Sequence, residues 1–232
     1  MKIKISTIAF IIFSFTVCHA QDLGIKWVEV QGGTFTMGSG NSMRQATISS
    51  FYMSATEVTF DQYDTYCNAT RTEKSDDEGW GRVNRPVIKV SWDDAIGFCQ
   101  WLCKEIGSEV RLPNEAEWEF AATGGSKSKG YTFSGSNNWK EVSWSEGNSD
   151  NRTQPVGVKK SNELGLYDMS GNIWEWCTDW PVGDGDRIGS DIKRPLCGNS
   201  FDNPASDPRQ STVRIERDAR HYNVGFRIVK TK

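Results

Sequence analysis

Histidine is nearly absent from this 232-residue chain: there are only two, His19 and His221. His19 lies at the end of an apolar leader, so a processed protein would keep His221 alone. One imidazole excludes multi-histidine metal sites and argues against Ser-His hydrolysis. A basic surplus is missing too, since 27 Lys and Arg face 30 Asp and Glu. Nucleic acid would want a basic face, so it is not an expected partner. Beyond the leader no apolar run is long enough for a transmembrane helix, and there is no internal repeat or low-complexity linker. Cysteine is absent from every position after Cys197.

The leader is informative. Lys2 and Lys4 precede an apolar stretch at residues 5–17, and Cys18-His19-Ala20 then offers small residues at a peptidase site, with Gln21 next. This pattern predicts a signal peptide over residues 1–20 and export to the periplasm, the cell surface or the medium. A lipid anchor on Cys18 is the competing reading, and Val17 suits it poorly. The remainder is long enough for one domain with a sizeable core.

Ten tryptophans and 22 glycines, with few long periodic segments, point to an irregular fold in which large rings fill the interior. Residues 27–37 (WVEVQGGTFTM) alternate around Gly32-Gly33 and predict a hairpin or a bulged strand. An extended pair follows over residues 46–58. Thr59 with Gln62 makes a capping box for a short helix that buries Phe60, Tyr63 and Cys67. Two clear early helices come next. One spans residues 92–106, capped by Ser91 and stopped by Gly107, with Ala95, Phe98, Cys99, Leu102 and Ile106 on one face. The other is capped by Asn114 and Glu117, turns Trp118 and Phe120 inward, and ends at Gly124-Gly125. Residues 126–153 read as loops, and strand-like runs return at 174–180, 195–201 and 224–229. The class is α+β.

The cysteines outside the leader are Cys67, Cys99, Cys103, Cys177 and Cys197, an odd set. An oxidising compartment favours disulfides. Cys67 with Cys99 would join the two early helices and Cys177 with Cys197 would join neighbouring strand-like runs, and the pairing stays open. Cys99 and Cys103 share a helix face, which is awkward for a bridge, and they lack further soft ligands for a metal.

Several segments together are distinctive: VQGGTFTMGS, EGWGRVNRPV, VSWDDAIGFCQWL, RLPNEAEWEFAATGG, GLYDMSGNIWEWCTDW, RPLCGNSF and NVGFRIV. In this order they resemble the formylglycine-generating-enzyme (sulfatase-modifying-factor) family over residues 26–229. The resemblance implies a C-type-lectin-like α+β fold with little regular secondary structure. It also implies a chemistry. Active relatives oxidise a substrate cysteine through two cysteines, five positions apart, that follow a Gly-Gly-Ser turn and bind copper(I). Here the turn is Gly198-Asn199-Ser200, and the two positions hold Asn203 and Pro208. Neither supplies a thiolate, so copper is not expected. Branches that bind non-haem iron need several histidines and a further domain. The helix position Cys99 would pair in some relatives with a cysteine near Ile228, and that partner is missing.

In relatives with the GN.WEW stretch, calcium is held by two side chains and two carbonyls. Carried over, these are the side chains of Asp168 and Glu175 and the carbonyls of Gly171 and Ile173; a turn merely packed by Trp174 and Trp176 is the alternative. The charge-dense residues 209–221 read first as a solvated loop. In the family fold they would border a groove carrying Asp202 and Asn203 at its lip and Arg209 and Arg214 along it. The resulting expectation is an exported, non-catalytic member that binds a protein, peptide or glycan in this groove. A formylglycine-generating oxidase is the alternative.

Overall fold

The computed structural model describes residues 23–179 and 192–232, so the leader at 1–20 and Trp180 lie outside the described residues. In chain order the elements are β1 (Trp27–Val30), β2 (Gly33–Met37), β3 (Arg44–Ile48), β4 (Phe51–Ser54), α1 (Phe60–Thr70) and α2 (Trp92–Ile106). They continue as β5 (Val110–Arg111), α3 (Glu115–Ala122), α4 (Trp139–Val142), β6 (Trp174–Trp176), β7 (Lys193–Gly198), β8 (Thr212–Glu216), β9 (Val224–Gly225) and β10 (Val229–Thr231). Long loops separate short elements, as expected of the α+β class.

Local chemistry places the helices. Each of α1, α2 and α3 opens on a complete capping box, Thr59 with Gln62, Ser91 with Asp94 and Asn114 with Glu117, which satisfies two otherwise orphaned N–H groups. Gly107 ends α2 in the left-handed region at φ 66°. Ser91→Ala is expected to lower the unfolding free energy by about 1 kcal/mol in urea titrations. An unchanged midpoint there would mean the cap is redundant with the packing of α2.

Three small sheets frame the core. One runs β1-β4-β10-β5, all antiparallel, and a second is the β2–β3 hairpin. The third runs β8-β7-β6-β9, with the β6–β9 pair parallel. Residues 27–37 are therefore not a hairpin. β1 pairs with β4 and β2 with β3, so the chain changes sheet at Gly32. The reason is close approach: a Cβ on Gly32 would stand 2.3 Å from the Ile48 carbonyl oxygen.

Residues 212–216, inside the segment read as a solvated loop, form β8 on the edge of the third sheet, paired with β7 from Glu216↔Lys193 to Thr212↔Cys197. α4 is a further addition to the loops at 126–153. Ile106 is more than a third exposed at the end of α2 and does not join the core.

Two apolar clusters meet across the sheets. α1 and α2 contribute Phe60, Tyr63, Phe98 and Leu102, which pack with Trp176, Phe226 and Ile228. Trp118 and Phe120 of α3 pack with Val30, Met53, Cys177 and Cys197. All five described thiols are free, which corrects both proposed bridges. Burial pushes the Cys67 thiol up to about 11 and the Cys99 thiol higher still. The Cys177 thiol, raised chiefly by burial, lies against Cys197. No helix of the described residues is long and apolar enough to cross a membrane.

Candidate functional site

The GNIWEW segment folds into a turn that delivers charge to the interior. Asp168 and Asn172 adopt left-handed backbone, at φ 62° and 71°. Gly171 packs so closely that a Cβ would lie 2.2 Å from the Trp144 carbonyl oxygen. β6 then places Glu175 in the centre of the molecule. Arg227, itself inaccessible, donates from Nε to Glu175 Oε2 at 2.6 Å and from Nη2 to Oε1 at 2.7 Å. Trp118 Nε1 donates to the same Oε2 at 2.7 Å, so the pair is clamped from α3 as well.

Asp168 lies in the same buried group, joined by Glu57, which sequence reading did not single out. Gly157 N–H donates to Asp168 Oδ2 at 2.7 Å, and Asn172 Nδ2 donates to Glu57 Oε1 at 3.1 Å. The other two oxygens, Glu57 Oε2 and Asp168 Oδ1, are buried with no donor from the rest of the protein, and the two carboxyls hydrogen-bond each other once one of them is protonated. Burial pushes the Asp168 carboxyl up to about 6 and the Glu57 carboxyl well above its ordinary range; the neighbouring Asp168 charge adds to the effect on Glu57.

These residues can be tested against the calcium set that the resemblance implies. Among the described residues, no group of three or more His, Cys, Asp and Glu side chains is arranged to hold a metal ion. The implied set needs only two side chains, with carbonyls completing it. It fits in two respects. Glu57 Oε2 and Asp168 Oδ1 are hard oxygens left without a donor when both carboxyls are ionised, and Glu175 Oε1 takes one hydrogen bond where a carboxylate oxygen can accept two. Fully ionised, three carboxylates beside one guanidinium leave two uncompensated negative charges, the complement of a divalent cation.

The second cluster follows β7. Trp174 Nε1 donates to Asn203 Oδ1 at 3.0 Å, and the Ser200 hydroxyl lies 2.7 Å from the same atom and 2.6 Å from Asp202 Oδ1. Asp202 also accepts from the Tyr222 hydroxyl at 2.8 Å and from Asn223 Nδ2 at 3.2 Å. The Asp202 carboxylate holds the Tyr222 phenol above its usual range. Trp80, Phe201 and Tyr222 form an aromatic edge beside it, with ring centroids 5.3 to 6.5 Å apart. Asn203 Nδ2 makes no hydrogen bond to the described residues, so the face presents a donor amide, a fixed carboxylate and aromatic rings.

Arg209 and Arg214 make no contact with Asp202 or Asn203 among the hydrogen bonds and ion pairs of the described residues. Arg209 is held by Asp207, with Nε 2.9 Å from Oδ1, and Arg214 reaches from β8 to Glu115 and Asp179. Pro208 is buried and opens a single 3-10 turn behind them. The four candidate groove residues are thus engaged in two sets of contacts, Asp202 and Asn203 with Ser200, Tyr222 and Trp174, and the two arginines with Asp207, Glu115 and Asp179.

Fold and site together define an α+β domain of the formylglycine-generating-enzyme type. The chain matches the sulfatase-modifying factor enzyme 1-like domain over residues 17–232 and belongs to that family. It is 35% identical over 204 residues to the chaperone protein LppX of Paenibacillus barcinonensis, covering 66% of this chain and 71% of that one. It is 34% identical over 142 residues to the formylglycine-generating enzyme of Streptomyces coelicolor, covering 52% of this chain and 43% of the enzyme. Among solved structures, variable protein 1 of Treponema denticola superposes with a TM-score of 0.74 at 25% identity, covering 89% of this chain and 95% of that one.

Proposed function

We propose that this protein is an exported, non-catalytic member of its family that binds a protein, peptide or glycan partner through the Asp202–Asn203 face. The observation that carries this reading is Asn203. The resemblance puts a copper-binding cysteine there, and the side chain is instead an amide whose oxygen is taken by Trp174 and Ser200. Pro208 fills the second position, and residues 198–232 contain no cysteine that could substitute. Asn is a poor ligand for a soft ion. Relatives named as a chaperone and as a variable protein support a binding role, although fold alone does not select a partner. A calcium ion held by Asp168, Glu175 and the Gly171 and Ile173 carbonyls, with Glu57 beside it, would brace the turn beneath this face.

Intact mass spectrometry tests the absence of chemistry. The protein is mixed with copper(I), calcium, oxygen and a peptide carrying Cys-x-Pro-x-Arg, and the peptide mass is expected to stay unchanged while an active relative converts it. Conversion of the cysteine to an aldehyde would overturn the reading. For binding, peptide and glycan arrays should show ligands that the Asp202→Ala, Asn203→Ala double variant loses. Ligands retained at full strength by that variant would move the site elsewhere.

A further inference from the structure

A second concavity lies between the β2–β3 hairpin, α3 and the turn before β8. It encloses about 380 Å³, within the range of small-ligand sites, and is lined among others by Gly38, Arg44, Glu115, Glu119, Arg209 and Thr212. We propose that this cleft binds a small zwitterion of the amino-acid class, its carboxylate on Arg44 and its ammonium on Glu119.

Glu115 is ion-paired with Arg214, and Arg209 with Asp207, so these four groups already have counter-ions. Two groups are left. Arg44 makes no ion pair within 4 Å among the described residues; it donates to Met37 Sδ at 3.7 Å, and its charge acts at longer range on Glu119 and Glu115. Glu119 is only 5% exposed, and its two oxygens are used unequally. Its Oε1 accepts the Gly38 N–H at 2.7 Å, presented by a backbone at φ +84° that glycine adopts without strain. Its Oε2 accepts nothing from the described residues. A carboxyl and a guanidinium that feel each other's charge without direct contact, in one cleft, match a ligand that carries one charge of each sign and bridges them. No aromatic ring lines the cleft, so a nucleobase or a stacked pyranose lacks its usual platform.

Protonation adds a signature. Burial pushes the Glu119 carboxyl up to about 7, offset by the Gly38 N–H. Asp207 raises it further, while Arg209 on the 3-10 turn and Arg44 on β3 lower it; Glu115 stands one turn away on α3 itself. An ammonium group needs the ionised form, so binding releases a proton near neutral pH and strengthens as pH rises through 7.

Titration calorimetry with the whole protein tests the assignment, using glycine, glutamate and arginine as probes and acetate and methylammonium as single-charge controls. At least one amino acid should bind, with both controls weaker by about tenfold or more, and its affinity should rise between about pH 6 and 8. Glu119→Gln should weaken binding by about tenfold or more and abolish the pH dependence. Arg44→Gln, an exposed change that leaves the core intact, should weaken it comparably. The Asp202→Ala, Asn203→Ala variant should bind these probes unchanged, which separates this site from the face proposed above. The assignment fails if no amino acid binds, if acetate or methylammonium binds as tightly as the amino acids, or if both cleft substitutions leave the affinity intact.

Discussion

Arg227→Met is expected to cost about 3–5 kcal/mol of stability, enough to unfold much of a domain whose total is about 5–15 kcal/mol. The methionine fills most of the volume but removes every donor. Glu175 would then keep only the Trp118 N–H on Oε2, inside a core where its carboxylate has almost no access to water. Two carbonyls lose a partner as well, because Arg227 Nη2 also donates to Tyr167 O at 3.0 Å and Nη1 to Ser54 O at 3.4 Å. One side chain thus ties together the end of β4, the loop before β6 and the segment before β10. Urea unfolding followed by tryptophan fluorescence measures the loss. Pairing the change with Glu175→Gln should recover part of it, because the buried charge goes too. A loss below about 1 kcal/mol in the single variant would show that the cluster relaxes or admits water.

The sequence revealed the helices because their signals are local. Ser91 with Asp94, and Asn114 with Glu117, lie three residues apart, and the structure uses each as a capping box. Sheet membership was hidden because it is decided at a distance: nothing within residues 27–37 says that β1 will pair with β4 and β2 with β3. β8 was hidden for another reason. Its burial alternates weakly, and Val213 stays 43% exposed on an edge strand, so the apolar positions do not mark an inner face. The site divides in the same way. Asp202 and Asn203 could be found by counting from the Gly198-Asn199-Ser200 turn, whereas Tyr222 and Asn223 join them only through the fold. The Arg214–Glu115 pair, which joins β8 to α3, likewise had no local signal. Glu57 gave no signal of its own, and its role depends on meeting Asp168 from the far side of the core.

Calcium is expected to raise the melting temperature by about 5–10 °C when present at a hundredfold its dissociation constant, which corresponds to about 2.7 kcal/mol of linkage. The driving force is the orphaned pair, Glu57 Oε2 and Asp168 Oδ1, in a cluster that carries two excess negative charges when ionised. Without an ion that excess can be relieved by protons, and the two cases differ in pH dependence. The Asp168 carboxyl is pushed up to about 6 by burial, and Glu57 well above its usual range. Both folded-state values exceed the unfolded value of about 4, so the stability they permit is full below that pH and is lost as pH rises through 6. Chelated protein should therefore melt progressively lower from about pH 4 to 6, and further until Glu57 has ionised, with a slope of up to about 1.4 kcal/mol per pH unit for each group. Calcium should remove that decline, because it binds the ionised pair and takes over the proton's role. Asp168→Asn should abolish the calcium response and remove the Asp168 share of the pH dependence, leaving that of Glu57, which burial maintains. Melting curves that ignore calcium but still fall with pH would assign the cluster to a shared proton and leave the turn beneath Asp202–Asn203 without a metal.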